Sequence, residues 1–343
     1  MRATVIHAPF DVRLTEVADT GLQDPTDALV RVVASCICGS DLWSYRGENE
    51  VLEPRRIGHE FVGLVEAVGS DVSTVKVGDF VVAPFTFSDG TCPNCLAGVQ
   101  SACVNGTAWG AQGFDGAQAE AVRVPFADGT LVATPTVPDD ELVPSLLALS
   151  DVMATGWHAA VAARVRPGQT VVVVGDGAVG LSGVLAASRM GAERVVAMSR
   201  HASRQALARD FGATDVIEAR GEGAVAAIRE LSGGVGADAV LECVGTGESM
   251  TTAVEAARAG ATVGYVGVPH GVELPIRTMF GNNVGVSGGV APVRQYLPQL
   301  MDDVLAGSID PGKVFDLTLP LAEVAEGYAA MHERRAIKTL LRP

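Results

Sequence analysis

From Met1 to about Ser150, short runs of Val, Ala and Leu are broken by Gly, Pro and Asp, as in Asp79 to Pro84 and Leu131 to Pro135. Apolar runs of that length between turn formers read as strands, so this half predicts a β-rich, barrel-like domain. From about Val152 to Val290 the pattern changes. Apolar strands at Thr170 to Val174, Arg194 to Met198, Ala237 to Leu241 and Ala261 to Val266 are separated by helical stretches, the first from about Ala178 to Met190. Such alternation predicts βαβ units and a parallel sheet covered on both faces. The C-terminal stretch, helical at Tyr296 to Ala306 and Leu321 to Glu333 and strand-like at Ile337 to Leu341, predicts a return to the first domain. The expected organisation is a domain of residues 1–152 completed by 291–343, with 153–290 inserted as the parallel-sheet domain. Gly288, Gly289 and Pro292 at the return fit either a linker or a cofactor-facing loop.

At 343 residues the chain exceeds one comfortable core, which predicts two packed domains and a cleft. A formal net charge of -15 argues against nucleic acid or an anionic membrane as partner and leaves a small molecule. No apolar run approaches the roughly 18 residues of a spanning helix, and the N-terminus lacks a signal-peptide core, so the expected location is cytoplasmic. Three of the six cysteines, Cys92, Cys95 and Cys103, cluster closely, and in a reducing compartment that spacing suggests a metal before a disulfide.

The Thr170 to Val174 strand runs into Gly175-Asp176-Gly177-Ala178-Val179-Gly180, a G-x-G-x-x-G turn opening a helix. In a dinucleotide site these glycines allow the tight turn, the approach of a pyrophosphate and close helix packing. An acid about 20 positions on would grip the ribose 2′-hydroxyl. Ser199 stands there instead, with Arg200, His201 and Arg204 beside it. A hydroxyl backed by guanidinium groups suits a 2′-phosphate, so the expected cofactor is NADP(H).

Cys38-Gly39-Ser40-Asp41 and Gly58-His59-Glu60 offer a thiolate and an imidazole, a ligand pair that zinc favours. The longer pattern Gly58-His59-Glu60-x2-Gly63-x5-Gly69-x2-Val72 resembles the zinc-binding signature of the medium-chain alcohol dehydrogenase family. The resemblance covers essentially the whole chain, including the dinucleotide turn and Glu242-Cys243-Val244-Gly245. It implies an α/β protein, a GroES-like β-rich catalytic domain joined to a Rossmann domain with a doubly wound parallel sheet, the active site lying between them.

By position, the resemblance makes Cys38, His59 and Asp151 ligands of a catalytic zinc, with Asp151 where many relatives have cysteine. Glu60 matches an acid able to move in as an alternative ligand, and Asp41 the partner that orients His59. Ser40 matches the hydroxyl that receives the alcohol's proton. The relay histidine that follows in relatives is Trp43 here, which leaves the ribose, Tyr45 or water for proton exit. Thr155 matches a residue flanking the nicotinamide, and Ala178, Val179, Val244, Val268 and Lys338 match cofactor-binding positions.

Asp89-x2-Cys92-x2-Cys95-x7-Cys103 matches the family's structural zinc lobe, with Asp89 in place of the first cysteine. The implied activity is hydride transfer between an alcohol or polyol, or the matching ketone or aldehyde, and NADP(H), in a homodimer or homotetramer. Trp43, Trp109 and the segment near Met279 and Phe280 are candidate pocket walls. Two rival readings remain, a zinc-free quinone or enoyl reductase on the same scaffold and a non-catalytic sensor of nucleotide and metal.

Overall fold

A computed structural model describes residues 1–111 and 113–343. The chain divides into two units, Met1–Asp151 with Pro292–Pro343, and Val152–Ala291.

In the first unit, the main sheet of the described residues runs in the order Leu317–Pro320, Thr339–Arg342, Ala28–Cys36, Phe61–Val68, Phe80–Ala83 and Val132–Ala133, and Ala121–Val124 also pairs with Ala28–Cys36. Along Ala28–Cys36 the period of two is visible: Ala28, Val30, Val32 and Ala34 are buried while Arg31 is exposed. Phe61, Phe87, Trp109, Val122 and Leu131 pack against that inner face. The pairing sets the position of the chemistry. Ser35 lies opposite Phe61, and Cys36 opposite Leu340. The residues just beyond these pairs, Ile37 and Cys38, His59 and Glu60, and Lys338, are thereby gathered at one end of the sheet. The expected Leu131 to Pro135 strand shrinks to Val132–Ala133, because Ala127–Thr130 forms a helical turn whose Thr130 hydroxyl bonds to the Ser88 and Pro125 carbonyls.

In the second unit, six strands among the described residues form a wholly parallel sheet in the order Asp215–Ile217, Arg194–Met198, Thr170–Val174, Ala237–Glu242, Ala257–Tyr265 and Gly285–Gly288. Numbered by sequence within the unit this is 3-2-1-4-5-6, the doubly wound order, whose ligand crevice opens at the carboxyl ends of strands 1 and 4. Val171, Val172 and Val173 are all fully buried, as a central strand covered on both faces requires. The fifth strand begins at Ala257, ahead of the expected Ala261. Arg258, Ala259 and Gly260 form an irregular start of the strand, the last two exposed, where the register against Ala237 and Ala239 shifts.

Candidate functional site

The end of the Ala28–Cys36 strand delivers Cys38, the residue before Phe61–Val68 is Glu60, and Asp151 follows a segment pinned by the Phe85 amide, which donates to the Ser150 carbonyl at 3.0 Å. The ligand-type atoms of Cys38, His59, Glu60 and Asp151 all lie within 4.8 Å of one another. Cys38 Sγ is 3.7 Å from Asp151 Oδ2, and His59 Nε2 is 3.5 Å from the same oxygen. Metal–ligand bonds of about 2.0–2.3 Å in a tetrahedron put ligand atoms roughly 3.3–3.8 Å apart, so the three donors fit one zinc ion.

Surrounding groups hold this arrangement. Asp41 Oδ1 faces His59 Nδ1 at 3.4 Å, and Oδ2 accepts the Cys38 amide at 3.0 Å. With Nδ1 turned to Asp41, the imidazole presents Nε2 to the cluster. Burial pulls the His59 pKa down, but Asp41, the Cys38 sulfur and Asp151 together carry it well above its usual value. That excess of negative charge is what a cation would neutralise.

Behind Asp41, Gln118 donates to its Oδ2 at 3.4 Å and to the Cys36 carbonyl at 3.1 Å, while the Tyr328 hydroxyl donates to Gln118 Oε1 at 3.2 Å. Gln118 and Tyr328 carry no motif signal. Glu60, fully buried, accepts from Lys338 Nζ at 2.7 Å through one oxygen, and its Oε2 has no partner among the described residues. An orphaned buried carboxylate oxygen beside two ligands is a further sign of an ion site. Burial favours the uncharged form of Lys338, but the Cys36 and Glu60 groups around it hold its pKa well above the ordinary range. Lys338, expected at a cofactor-binding position, is also bonded to the Ile37 carbonyl, so its ammonium is shared between that oxygen and Glu60.

Ser40, Asn49, Arg55, His59 and Trp109 line a cavity of about 240 Å³. Trp109 is fixed there by its indole N–H, which donates to the Pro84 carbonyl at 2.8 Å. Tyr45, an expected proton exit, is elsewhere: its ring packs against Phe10, Tyr328 and His332 in the core.

The second cluster is local. Cys92 Sγ is 3.4 Å from Cys95 Sγ and 3.9 Å from Cys103 Sγ, and Asp89 completes a set within 4.8 Å. These separations are far above the roughly 2.05 Å of a disulfide and match the edges of a thiolate tetrahedron. Burial, with the neighbouring thiols, pushes Cys95 up to about 12. Asp89 accepts from the Thr91 and Cys92 amides at 2.8 and 2.9 Å and from Asn105 at 2.6 Å, which hold its carboxyl far below the usual range against the opposing effect of burial.

In the second unit, Gly175 has φ +118° and ends the first strand, a conformation only glycine adopts readily. A side chain at Gly180 would lie 2.0 Å from the Gly175 carbonyl, so turn and helix pack directly, while Gly177 faces open space. Gly177 caps the Ala178–Arg189 helix without a side-chain hydrogen bond. The N–H groups of the first turn, Val179 among them, have no carbonyl within the helix to bond and are the kind of donors that receive a phosphate. Val244 and Val268 are half-exposed on adjoining loops. Glu242 shapes the first loop: its Oε1 accepts from the Val244 and Gly245 amides and the Ser249 hydroxyl at 2.7–2.9 Å.

At the end of the second strand Ser199 is buried and Arg200 exposed. Ser199 and Arg204 come together on Asp176, whose carboxylate accepts from Ser199 Oγ at 2.7 Å and Arg204 at 3.1 Å. Thr155 is buried in the first turn of the Val152–Ala162 helix. Of the suggested pocket walls, Met279 packs on the parallel-sheet core and Phe280 is 86% exposed.

Residues 24–139 match the alcohol dehydrogenase GroES-like domain family, and residues 178–306 the zinc-binding dehydrogenase family. A probable zinc-binding alcohol dehydrogenase of Mycobacterium tuberculosis is 38% identical, over 100% of this chain and 89% of the relative. Among solved structures, an alcohol dehydrogenase of Thermus sp. ATN1 superimposes with a TM-score of 0.93 at 34% identity, covering 100% of this chain and 99% of that one. A zinc-binding dehydrogenase of Sinorhizobium meliloti 1021, bound to NADP, gives 0.84 at 27% identity over 100% and 99%.

Proposed function

This chain belongs to the zinc-dependent medium-chain dehydrogenase family, and from that premise we propose that it is an alcohol or polyol dehydrogenase using NADP(H). The observation that carries the reading is the convergence of Cys38, His59, Glu60 and Asp151 within 4.8 Å, with His59 on the wall of an adjoining cavity.

Cys38, His59 and Asp151 would hold zinc, and Glu60 stands as the acid able to join them. When bound, zinc supplies Lewis acidity that brings an alcohol's pKa to roughly neutral, and the nicotinamide supplies the hydride carrier. The chain's own groups do the rest. The Cys38 thiolate and Asp151 carboxylate balance a divalent charge. Asp41 fixes the tautomer and orientation of His59, and Gln118 with Tyr328 fixes Asp41. Ser40 Oγ, on the cavity wall, takes the alcohol's proton and passes its own to water in the cavity. Thr155 flanks the nicotinamide.

In the dinucleotide bed, Gly175, Gly177 and Gly180 admit the pyrophosphate, and Val244 and Val268 line the approach. Ser199, Arg200 and Arg204 favour a 2′-phosphate, and the relative bound to NADP supports this preference. Asp89, Cys92, Cys95 and Cys103 would close a second, structural zinc site with no open position. The exposed Gly285–Gly288 edge strand supports pairing with a second copy, hence a homodimer or homotetramer. No helix among the described residues is long and apolar enough to cross a membrane, and clustered thiols suit the reducing cytoplasm.

The test is NADPH consumption with a panel of ketones and aldehydes, with and without a chelator. Chelator-sensitive turnover is expected. Turnover that ignores the chelator would favour a zinc-free reductase, and tight nucleotide binding with no turnover a sensor.

A further inference from the structure

In a parallel-sheet dinucleotide site the adenosine ribose is read at the end of the second strand, where a carboxylate selects the 2′-hydroxyl and cations select a 2′-phosphate. Sequence position places Ser199 there and no acid. The structure brings one in from another direction. Asp176, between the first two glycines of the turn, accepts from Ser199 Oγ at 2.7 Å through Oδ2 and from Arg204 at 3.1 Å through Oδ1, and Arg204 also reaches its main-chain oxygen at 3.3 Å. The pair is half-sheltered, with side-chain exposure of 14% for Arg204 and 21% for Asp176.

Two of the three groups that favour a phosphate are thus already engaged by a carboxylate. A 2′-phosphate, with a charge near -2, must take both donors from Asp176 and then sit beside it. A 2′-hydroxyl meets the opposite situation, since it can donate to a carboxylate that Ser199 and Arg204 already orient. Only Arg200, exposed on the strand end, is left for the phosphate without this competition.

We infer that Asp176 is the specificity-determining residue of the dinucleotide site, holding down the preference for NADP(H) so that the chain accepts NAD(H) as well. The inference rests on the dinucleotide reading above and concerns only the adenosine half of the cofactor. It assigns the residue between the glycines the role that the strand-end acid plays in an NAD site.

The test is equilibrium binding of NADPH, NADH, adenosine 2′,5′-bisphosphate and 5′-AMP to the intact protein by calorimetry, in wild type, Asp176→Asn, Asp176→Ser and Arg204→Gln. Wild type binds both dinucleotides. Relief of like-charge repulsion raises the NADPH-to-NADH affinity ratio about tenfold in both Asp176 variants, through tighter NADPH, and the bisphosphate-to-AMP ratio moves with it. Arg204→Gln moves both ratios down. A carboxylate that merely props Arg204 gives the opposite sign, because its removal would loosen NADPH; that result, or unchanged ratios, overturns the inference while leaving the dinucleotide reading intact. If wild type binds neither dinucleotide nor either adenosine fragment, the dinucleotide reading itself fails and the inference falls with it.

Discussion

The Asp89, Cys92, Cys95 and Cys103 cluster draws its ligands from one short loop, whereas Cys38, His59 and Asp151 arrive from three separate segments at the end of a sheet. In the loop, hydrogen bonds close the site: Asp89 accepts from two backbone amides and Asn105, and the Asp89 amide approaches Cys103 Sγ at 3.3 Å. At the sheet end, charge is concentrated and one buried carboxylate oxygen of Glu60 has no partner among the described residues. The sheet-end cluster also opens on a cavity, through His59 and the neighbouring Ser40. The contrast teaches that ligand type alone does not make a reactive centre. A loop suffices to clamp an ion, while a site that must leave a position open needs a long-range scaffold to hold it against its own charge.

The largest expected effect separates the two clusters by activity. Cys38→Ser and Asp151→Asn each lower kcat/KM by about a thousandfold or more with the melting temperature little changed. Turnover within tenfold of wild type in either variant would break the comparison.

Next comes the buried ion pair behind the reactive cluster. Lys338→Met strands the Glu60 carboxylate and costs roughly 3–5 kcal/mol in urea unfolding, and adding Glu60→Leu restores much of that loss. Equal stability of the single and double variants would mean that the pair is not coupled.

Cys95→Ser sharpens the other side: zinc content falls by one ion per chain and the melting temperature by roughly 5 °C, while kcat stays within about threefold. A collapse of kcat in a protein that remains folded would make the lobe catalytic.

The smallest effect belongs to Asp41→Asn, which weakens metal retention about 10–100-fold in chelator competition. Retention equal to wild type would remove Asp41 as the group that orients His59.

The fold class is legible because its signals are local. Consecutive buried valines, a G-x-G-x-x-G turn and alternating strand and helix periods each occupy a short window, and the Gly58-His59-Glu60 pattern fixes the family. What escapes is contact across long separations. Lys338 meets Glu60 across 278 positions and Tyr328 meets Gln118 across 210, so neither pair leaves a pattern in its own neighbourhood. Sequence proximity also misleads. Tyr45 lies close to Ser40 in the chain, yet a short helix turns its ring into the aromatic core. Asp176 sits at an unrestricted position of a glycine motif, and only the placement of the second strand shows that it reaches Ser199.

The central claim is that Cys38, His59 and Asp151 share one zinc ion. Anomalous diffraction measured on either side of the zinc absorption edge, from crystals of protein purified without chelator, tests it directly. The account predicts a peak about 2.0–2.3 Å from Cys38 Sγ, His59 Nε2 and an Asp151 oxygen, and a second among Cys92, Cys95 and Cys103. A map with no zinc at the first position, whatever the second shows, would contradict it.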